Sequence, residues 1–222
     1  MRKIFITGCD KNTEWMLPWF IQKFRQHSEL EIFLYDFGMS DEKLEWAKSR
    51  FDGVSRIALF KEAAGWFNKP YAMLDSVVKG ESRVWLDTDC EIVGPIDDIF
   101  QHIKYGRLSI CEDLPWTMRR TERWHNTGVV GLGGVPQLMT RWSKECESPH
   151  PELQDPNLPP IGDQDILHHI LRTSLDRPIV MPNKYNVTRI QHLDKTVPTD
   201  ARILHWTGHK GKEYIRESMK QS

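Results

Sequence analysis

The sequence predicts an α/β fold, a sheet flanked by helices, and three observations carry that expectation. The first sixty residues alternate apolar strand-like runs with helix-like stretches. A later apolar run, Val84-Trp85-Leu86, leads straight into two aspartates one residue apart, Asp87 and Asp89. Glycine-containing segments then recur in the second half, where further strands would end. A strand–helix–strand–helix–strand opening implies parallel pairing through right-handed crossovers.

Lys3 to Cys9 reads as a buried strand, followed by a turn at Asp10-Lys11-Asn12 and a helix from about Thr13 with Trp15, Trp19 and Phe20 on its apolar face. Glu31 to Phe37 is the second strand. Ser40 has the chemistry of an N-cap for a helix through Ser49, and Val54 to Phe60 is a third strand. Pro70 fits the first turn of a helix over Tyr71 to Val78, which leads into the strand ending at the aspartates. Leu108 to Cys111 and Thr127 to Leu132 are further strands, and Pro136 starts a helix through Glu145. The five prolines between Ser148 and Pro160 predict a loop or lid-like excursion. Gly162-Asp163-Gln164-Asp165 opens a helix with Ile166, Leu167, Ile170 and Leu171 inward.

The chain has 222 residues, enough for one domain over 1–222, with the stretch up to the aspartates (1–90) set apart from the remainder (91–222). Its 30 basic and 31 acidic residues nearly cancel, so no global field draws it to nucleic acid or an acidic membrane. The four cysteines are widely spaced without a C-x-x-C pair and read as reduced core thiols. With a strand beginning at once and no apolar leader, the expected location is cytoplasmic. No amphipathic anchor follows Lys212, so no stable membrane association is expected. Nine tryptophans are many for this length; most are expected in the core, and aromatics beyond core needs often line surfaces that meet sugar rings or bases.

Side chains alternate along a strand, so Asp87 and Asp89 point the same way and can share a divalent cation. A D-x-D triplet alone says little: roughly one is expected by chance at this length, and Asp163-Gln164-Asp165 is a second. Position says more, because ligands of open α/β sheets lie at the carboxyl ends of the strands.

Five segments in order resemble the GT-A glycosyltransferases, particularly glycosyltransferase family 8. They are Phe5-Ile6-Thr7-Gly8-Cys9-Asp10, then Asn68 to Leu74 before Val84 to Asp89, then His125-Asn126-Thr127-Gly128, Gly162-Asp163-Gln164-Asp165, and His205-Trp206-Thr207-Gly208-His209-Lys210. Pro182-Asn183-Lys184-Tyr185-Asn186 echoes a further family segment. The resemblance implies a Rossmann-like mixed sheet and transfer of a hexose from a nucleoside diphosphate sugar, a UDP-sugar most often, with retention of configuration. It implies Asp87, Asp89 and His205 as ligands of Mn²⁺ or Mg²⁺. Gly8 and Asp10 would lie at the nucleotide, Asn126 and Asp163 at the donor sugar, and Gln164 near the reacting carbon. Two positions depart from the pattern. Met73 stands where relatives carry a donor-contacting arginine, leaving Lys69 as the substitute. Gly211 stands where they carry a closing lysine, leaving Lys210 and Lys212 to meet the diphosphate.

Other readings compete. Asp163 and Asn126 have ordinary uses as helix cap and turn residue. A haloacid-dehalogenase-type phosphatase also ends a strand in D-x-D, but needs a threonine where Glu91 stands. A noncatalytic sugar-nucleotide binder on the same fold is the main alternative. Trp116 to His125 interleaves aromatics with arginines. That suits a sugar, a phosphorylated acceptor or a base, and leaves room for a DNA-modifying glycosyltransferase of viral type, although a basic loop is the plainer reading.

Overall fold

The inner strands of the central sheet bury side chains on both faces, and the sheet is accordingly covered on both sides. A computed structural model describes residues 2–57, 65–75, 82–148 and 161–221. The strands are β1 (Lys3–Cys9), β2 (Glu31–Asp36), β3 (Gly53–Arg56), β4 (Ser82–Leu86), β6 (Leu108–Glu112), β7 (His125–Gly133) and β8 (Ile179–Met181), in the order β3-β2-β1-β4-β7-β6-β8. The first four pair in parallel, as the alternating opening predicts. β7 then runs antiparallel to both β4 and β6, which makes the sheet mixed.

Alternation along the strands divides the core in two. On one face Phe5, Val84 and Leu86 join Trp19, Phe20 and Phe24 of α1 (Leu17–Arg25). On the other, Ile4, Ile6 and Trp85 join Met73 of α3 (Lys69–Leu74), Trp142 of α5 (Gln137–Glu147) and Ile166 and Ile170 of α6 (Asp163–Thr173). Trp19, Trp85 and Trp142 are fully buried. At 150–250 Å² each, such side chains stabilise the fold by about 5 kcal/mol apiece as an upper bound.

Ser40 caps α2 (Asp41–Lys48) by accepting from Lys43 N–H at 3.3 Å. The expected helix at Thr13 starts as a single 3-10 turn, Glu14–Met16, before α1. Parts of the expected third strand (58–60), of the Tyr71–Val78 helix (76–78) and most of the proline-rich excursion (149–160) lie outside the described residues. The segment read as a basic loop contains a helix, α4 (Leu114–Arg120), capped by Asp113.

A small second sheet was not foreseen. β5 (Cys90–Ile92), β9 (Val187–Thr188) and β10 (Ile203–His205) form it in the order β5-β10-β9. It brings the C-terminal third of the chain against the end of β4. Between β9 and β10 lies α7 (Arg189–Leu193), and α8 (Gly208–Lys220) closes the described chain.

Candidate functional site

β4 ends at Leu86, and the backbone turns through Asp87–Asp89 into β5, with Cys90 N–H donating to the Asp87 carbonyl at 3.0 Å. Two strands hold this turn. Asp87 N–H donates to Gly128 of β7 at 2.8 Å, and Trp206 N–H, just past β10, donates to the Asp89 carbonyl at 3.0 Å. The turn thus sits where the two sheets meet.

Asp89 and His205 form the first charge cluster. His205 Nε2 is 3.1 Å from Asp89 Oδ1 and 3.8 Å from Asp87 Oδ2, while Lys212 Nζ of α8 is 3.2 Å from Asp89 Oδ2. Burial favours neutral Asp89, but His205 and Lys212 outweigh it and hold the carboxyl well below its usual range. Burial also opposes charge on His205, and Asp89 with Asp87 overcomes it, raising the imidazole above its ordinary value. The other ring nitrogen is held from behind. Nδ1 lies 3.0 Å from Asn126 Oδ1 and 3.1 Å from Asn186 Oδ1, and Asn126 Oδ1 also accepts from Asn186 Nδ2 at 2.9 Å and from Gly128 N–H at 2.9 Å. Two amide oxygens facing Nδ1 require it to carry the proton, which directs Nε2 toward the aspartates.

Lys69 makes the second cluster. It is 3 % exposed, and its Nζ lies 3.0 Å from Asp87 Oδ1 and 3.0 Å from Asp163 Oδ2, and donates to the Thr127 carbonyl at 3.0 Å. Burial opposes the ammonium, but Asp163 and Asp87 more than compensate and raise it above the ordinary lysine value. Burial raises the Asp163 carboxyl, with Lys69 opposing. Met73, one turn along α3, is fully buried in the core. Residues i and i+4 share a helix face, so the long Lys69 side chain lies on the face of the helix that carries Met73.

The remaining predicted residues sort clearly. Gly8 and Asp10 line a cleft with Lys69, Asp87, Asp89 and Lys212. A Cβ on Gly8 would lie 2.6 Å from the Phe37 ring, so no larger residue fits without displacing that ring. Asp10 Oδ1 accepts from Asn12 N–H, Thr13 N–H and Thr13 Oγ1, fixing the turn after β1. Asp163 does not cap α6: Asp165 Oδ2 accepts from Gly162 N–H at 2.7 Å and takes that part. Gln164 Oε1 accepts from Thr127 N–H at 3.3 Å. The Asn126 amide is committed behind His205. Lys210 lies on the exposed face of α8, outside the cleft. Gly211 is buried because a Cβ there would lie 1.9 Å from the Trp206 carbonyl oxygen, so that position excludes a lysine and Lys212 reaches Asp89 instead. Glu91 turns into the core, accepting from Trp206 Nε1 at 2.9 Å and pairing with Lys23 at 2.9 Å, away from the aspartates.

Sequence reasoning missed the clamp on His205, and Thr127 as the lysine's backbone partner. A bulge explains both: the β6–β7 register shifts between Ile110 and Cys111, where β7 carries extra residues. Bulges re-aim side chains. Here Thr127 faces Lys69, while Gly128 lies under the His205 ring, where a Cβ would come within 2.1 Å of Cε1.

For a divalent cation, Asp89 and His205 group with Cys90. Burial, then the neighbouring Asp89 and Asp87, pushes the Cys90 thiol well above its usual range, and its Sγ donates to the Gly128 carbonyl. A thiol so protonated is a poor ligand for a hard cation. That leaves Asp89 and His205 Nε2, with Asp87 Oδ2 3.8 Å from the same nitrogen, as oxygen and nitrogen donors of the kind a hard divalent cation accepts.

No protein-family profile and no curated protein sequence matches the chain. Solved structures do. Galactosyltransferase LgtC in complex with donor and acceptor sugar analogues is 13 % identical with a TM-score of 0.60, over 98 % of this chain and 95 % of that one. The glycosyltransferase GlyE of Streptococcus pneumoniae TIGR4 is 17 % identical with a TM-score of 0.63, over 94 % of this chain and 56 % of that one. The bifunctional glycosyltransferase WbbM is 11 % identical with a TM-score of 0.64, over 94 % of this chain and 46 % of that one. The chain therefore has the fold of GT-A glycosyltransferases. It spans nearly all of LgtC and about half of the other two.

Proposed function

From that shared fold and the geometry of the cleft, we propose that this chain is a metal-dependent glycosyltransferase moving a hexose from a nucleoside diphosphate sugar, a UDP-sugar in the first instance, to an acceptor with retention of configuration. The observation that carries the reading is the meeting of Asp87, Asp89, His205, Lys69, Asp163 and Lys212 at one strand end, from five separate stretches of chain. Asp87, Asp89 and His205 Nε2 would hold Mn²⁺, which when bound supplies a Lewis acid for the charge that develops on the leaving diphosphate.

The chain's own groups divide the remaining work. Lys212, on the first turns of α8, offers a point charge to the diphosphate from beside Asp89. Lys69 locks Asp163 and Asp87 in place, so Asp163 presents a fixed oxygen for sugar hydroxyls. Gln164 enters as a neutral amide. With Asp163 tied to Lys69 and Asp165 held by Gly162 N–H, both carboxylates flanking Gln164 are engaged, which favours a route without a covalent aspartyl intermediate. A noncatalytic binder was the alternative because of Met73 and Gly211. Both departures are met by neighbouring lysines that reach the site, which favours the enzyme.

The test is a panel of nucleotide sugars with purified protein and Mn²⁺, scoring free nucleoside diphosphate, with EDTA as control. Release with one donor, lost in EDTA and in Asp89→Ala, is expected. Turnover unchanged by EDTA or by Asp89→Ala would remove the metal assignment, and binding without turnover would return the chain to the binder class.

A further inference from the structure

All nine tryptophans lie among the described residues, and Trp66 alone is exposed, at 51 % of its surface. Leaving an indole in water forgoes several kcal/mol of burial by area, so its place demands a reason. Trp66 lines the same cleft as Asp10, Asn12 and Lys69. Its neighbour Gly65 abuts Asp10 so closely that a Cβ there would lie 2.9 Å from the carboxylate. The 3-10 turn Gly65–Asn68 therefore packs its first residue on the turn after β1, while Phe67 and the buried Asn68 anchor its other end to the core and leave Trp66 outward. The indole is braced as well: the Phe67 ring meets it edge-on at 6.1 Å, and Asn68 Nδ2 closes the turn onto the Gly65 carbonyl at 3.2 Å.

Along α3 the order is telling. Lys69, one residue past the turn, reaches the charged end of the cleft, whereas Trp66 stands at the end defined by Asp10. A phosphate-bearing ligand whose charged part meets Lys212 and the aspartates would carry its uncharged aromatic part toward Asp10 and Trp66. We infer that Trp66 is the stacking surface for the nucleobase of the donor. The indole contributes affinity without choosing the base, because every base has a π-face. Choice is left to the polar edges of the Asp10–Asn12 turn. This inference rests on the donor reading above.

Isothermal titration of UDP, ADP and inorganic pyrophosphate, each with Mn²⁺, into wild type, Trp66→Ala and Trp66→Phe separates the possibilities. Trp66→Ala should weaken UDP and ADP alike by roughly tenfold, Trp66→Phe should recover most of that, and pyrophosphate should bind all three proteins equally. Thermal unfolding should be unchanged, since the side chain is half in water. Equal UDP affinity in wild type and Trp66→Ala would overturn the stacking role while leaving the donor reading intact. So would a loss seen with a UDP-sugar and not with UDP, which would give the indole to the sugar. Wild type that binds no nucleoside diphosphate would bring down the donor reading, and the inference with it.

Discussion

The two charge clusters meet at Asp87, yet they are built on opposite plans. Around Lys69, one ammonium sits between two carboxylates with a backbone carbonyl as its third acceptor, the ammonium and Asp163 buried and Asp87 partly exposed. Around His205, the imidazole faces the aspartates with one nitrogen and is clamped by amide oxygens on the other. The first cluster carries its own permanent cation. The second is held together by a proton on Nε2, which a divalent ion can replace. On the proposed reading one is a brace and the other a ligand set, and the difference predicts how each responds when broken.

The brace should respond most. Lys69→Met leaves the buried Asp163 and the partly exposed Asp87 with no cation between them, and breaking a buried pair costs about 3–5 kcal/mol. Urea unfolding of the metal-free protein should show a loss of that order. Asp89→Asn, which keeps an oxygen for Lys212, should shift the same midpoint by less than half as much. Equal losses in the two variants would erase the distinction between brace and ligand set.

His125, at the start of β7, sharpens the contrast by pH. It is buried, and neither ring nitrogen has a hydrogen-bond partner. Burial, with Arg123 and His168 adding to it, lowers its pKa from 6.5 to about 4. The sign follows from proton binding. Between those values the unfolded chain binds more protons than the folded one, so stability is full above about pH 6.5 and falls as pH drops toward 4. At about 1.4 kcal/mol per pH unit, the difference reaches about 3 kcal/mol. Melting temperature against pH should be flatter across that window in His125→Leu than in wild type. Parallel curves would mean that His125 contributes nothing to the acid sensitivity.

How much of this was legible depended on the reach of each interaction along the chain. Asp87 and Asp89 could be read because they directly follow an apolar strand, although they share a side through the turn beyond Leu86 and not through strand alternation, and Lys69 because it stands one helical turn from Met73. Ser40 announced its helix by chemistry alone. The clamp on His205 could not be read, since Asn126, Asn186 and His205 come from three strand ends of two sheets, and an asparagine before Thr-Gly reads locally as a turn. β9 and β10 are two and three residues long, too short to show a period. α4 reads locally as a basic loop because Arg119 and Arg120 dominate its pattern, although Asp113 before Leu114-Pro115 is a start signal of the kind that marks a helix. Gly211 looked like a lost lysine. Only the approach of α8 to the Trp206 backbone explains why no side chain is allowed there.

The smallest change tests the clamp itself. Asn186→Ala removes one of the two oxygens facing His205 Nδ1, and also the amide that donates to Asn126 Oδ1. Asp87, Asp89 and His205 stay in place, so the loss acts through orientation: Nδ1 keeps only the Asn126 oxygen and Nε2 is less firmly aimed. Loss of an outer partner of a ligating histidine lowers metal affinity by about 10–100-fold. Titration of Mn²⁺ followed by the EPR signal of the free ion should show a drop of that size, with the urea midpoint of the metal-free protein moved far less than in Lys69→Met. Asn186→Asp, which keeps an oxygen at that position, should recover part of the affinity. If Asn186→Ala binds Mn²⁺ as wild type does, the clamp is ordinary packing and His205 is aimed by Asn126 and by Gly128, whose missing side chain makes room for the ring.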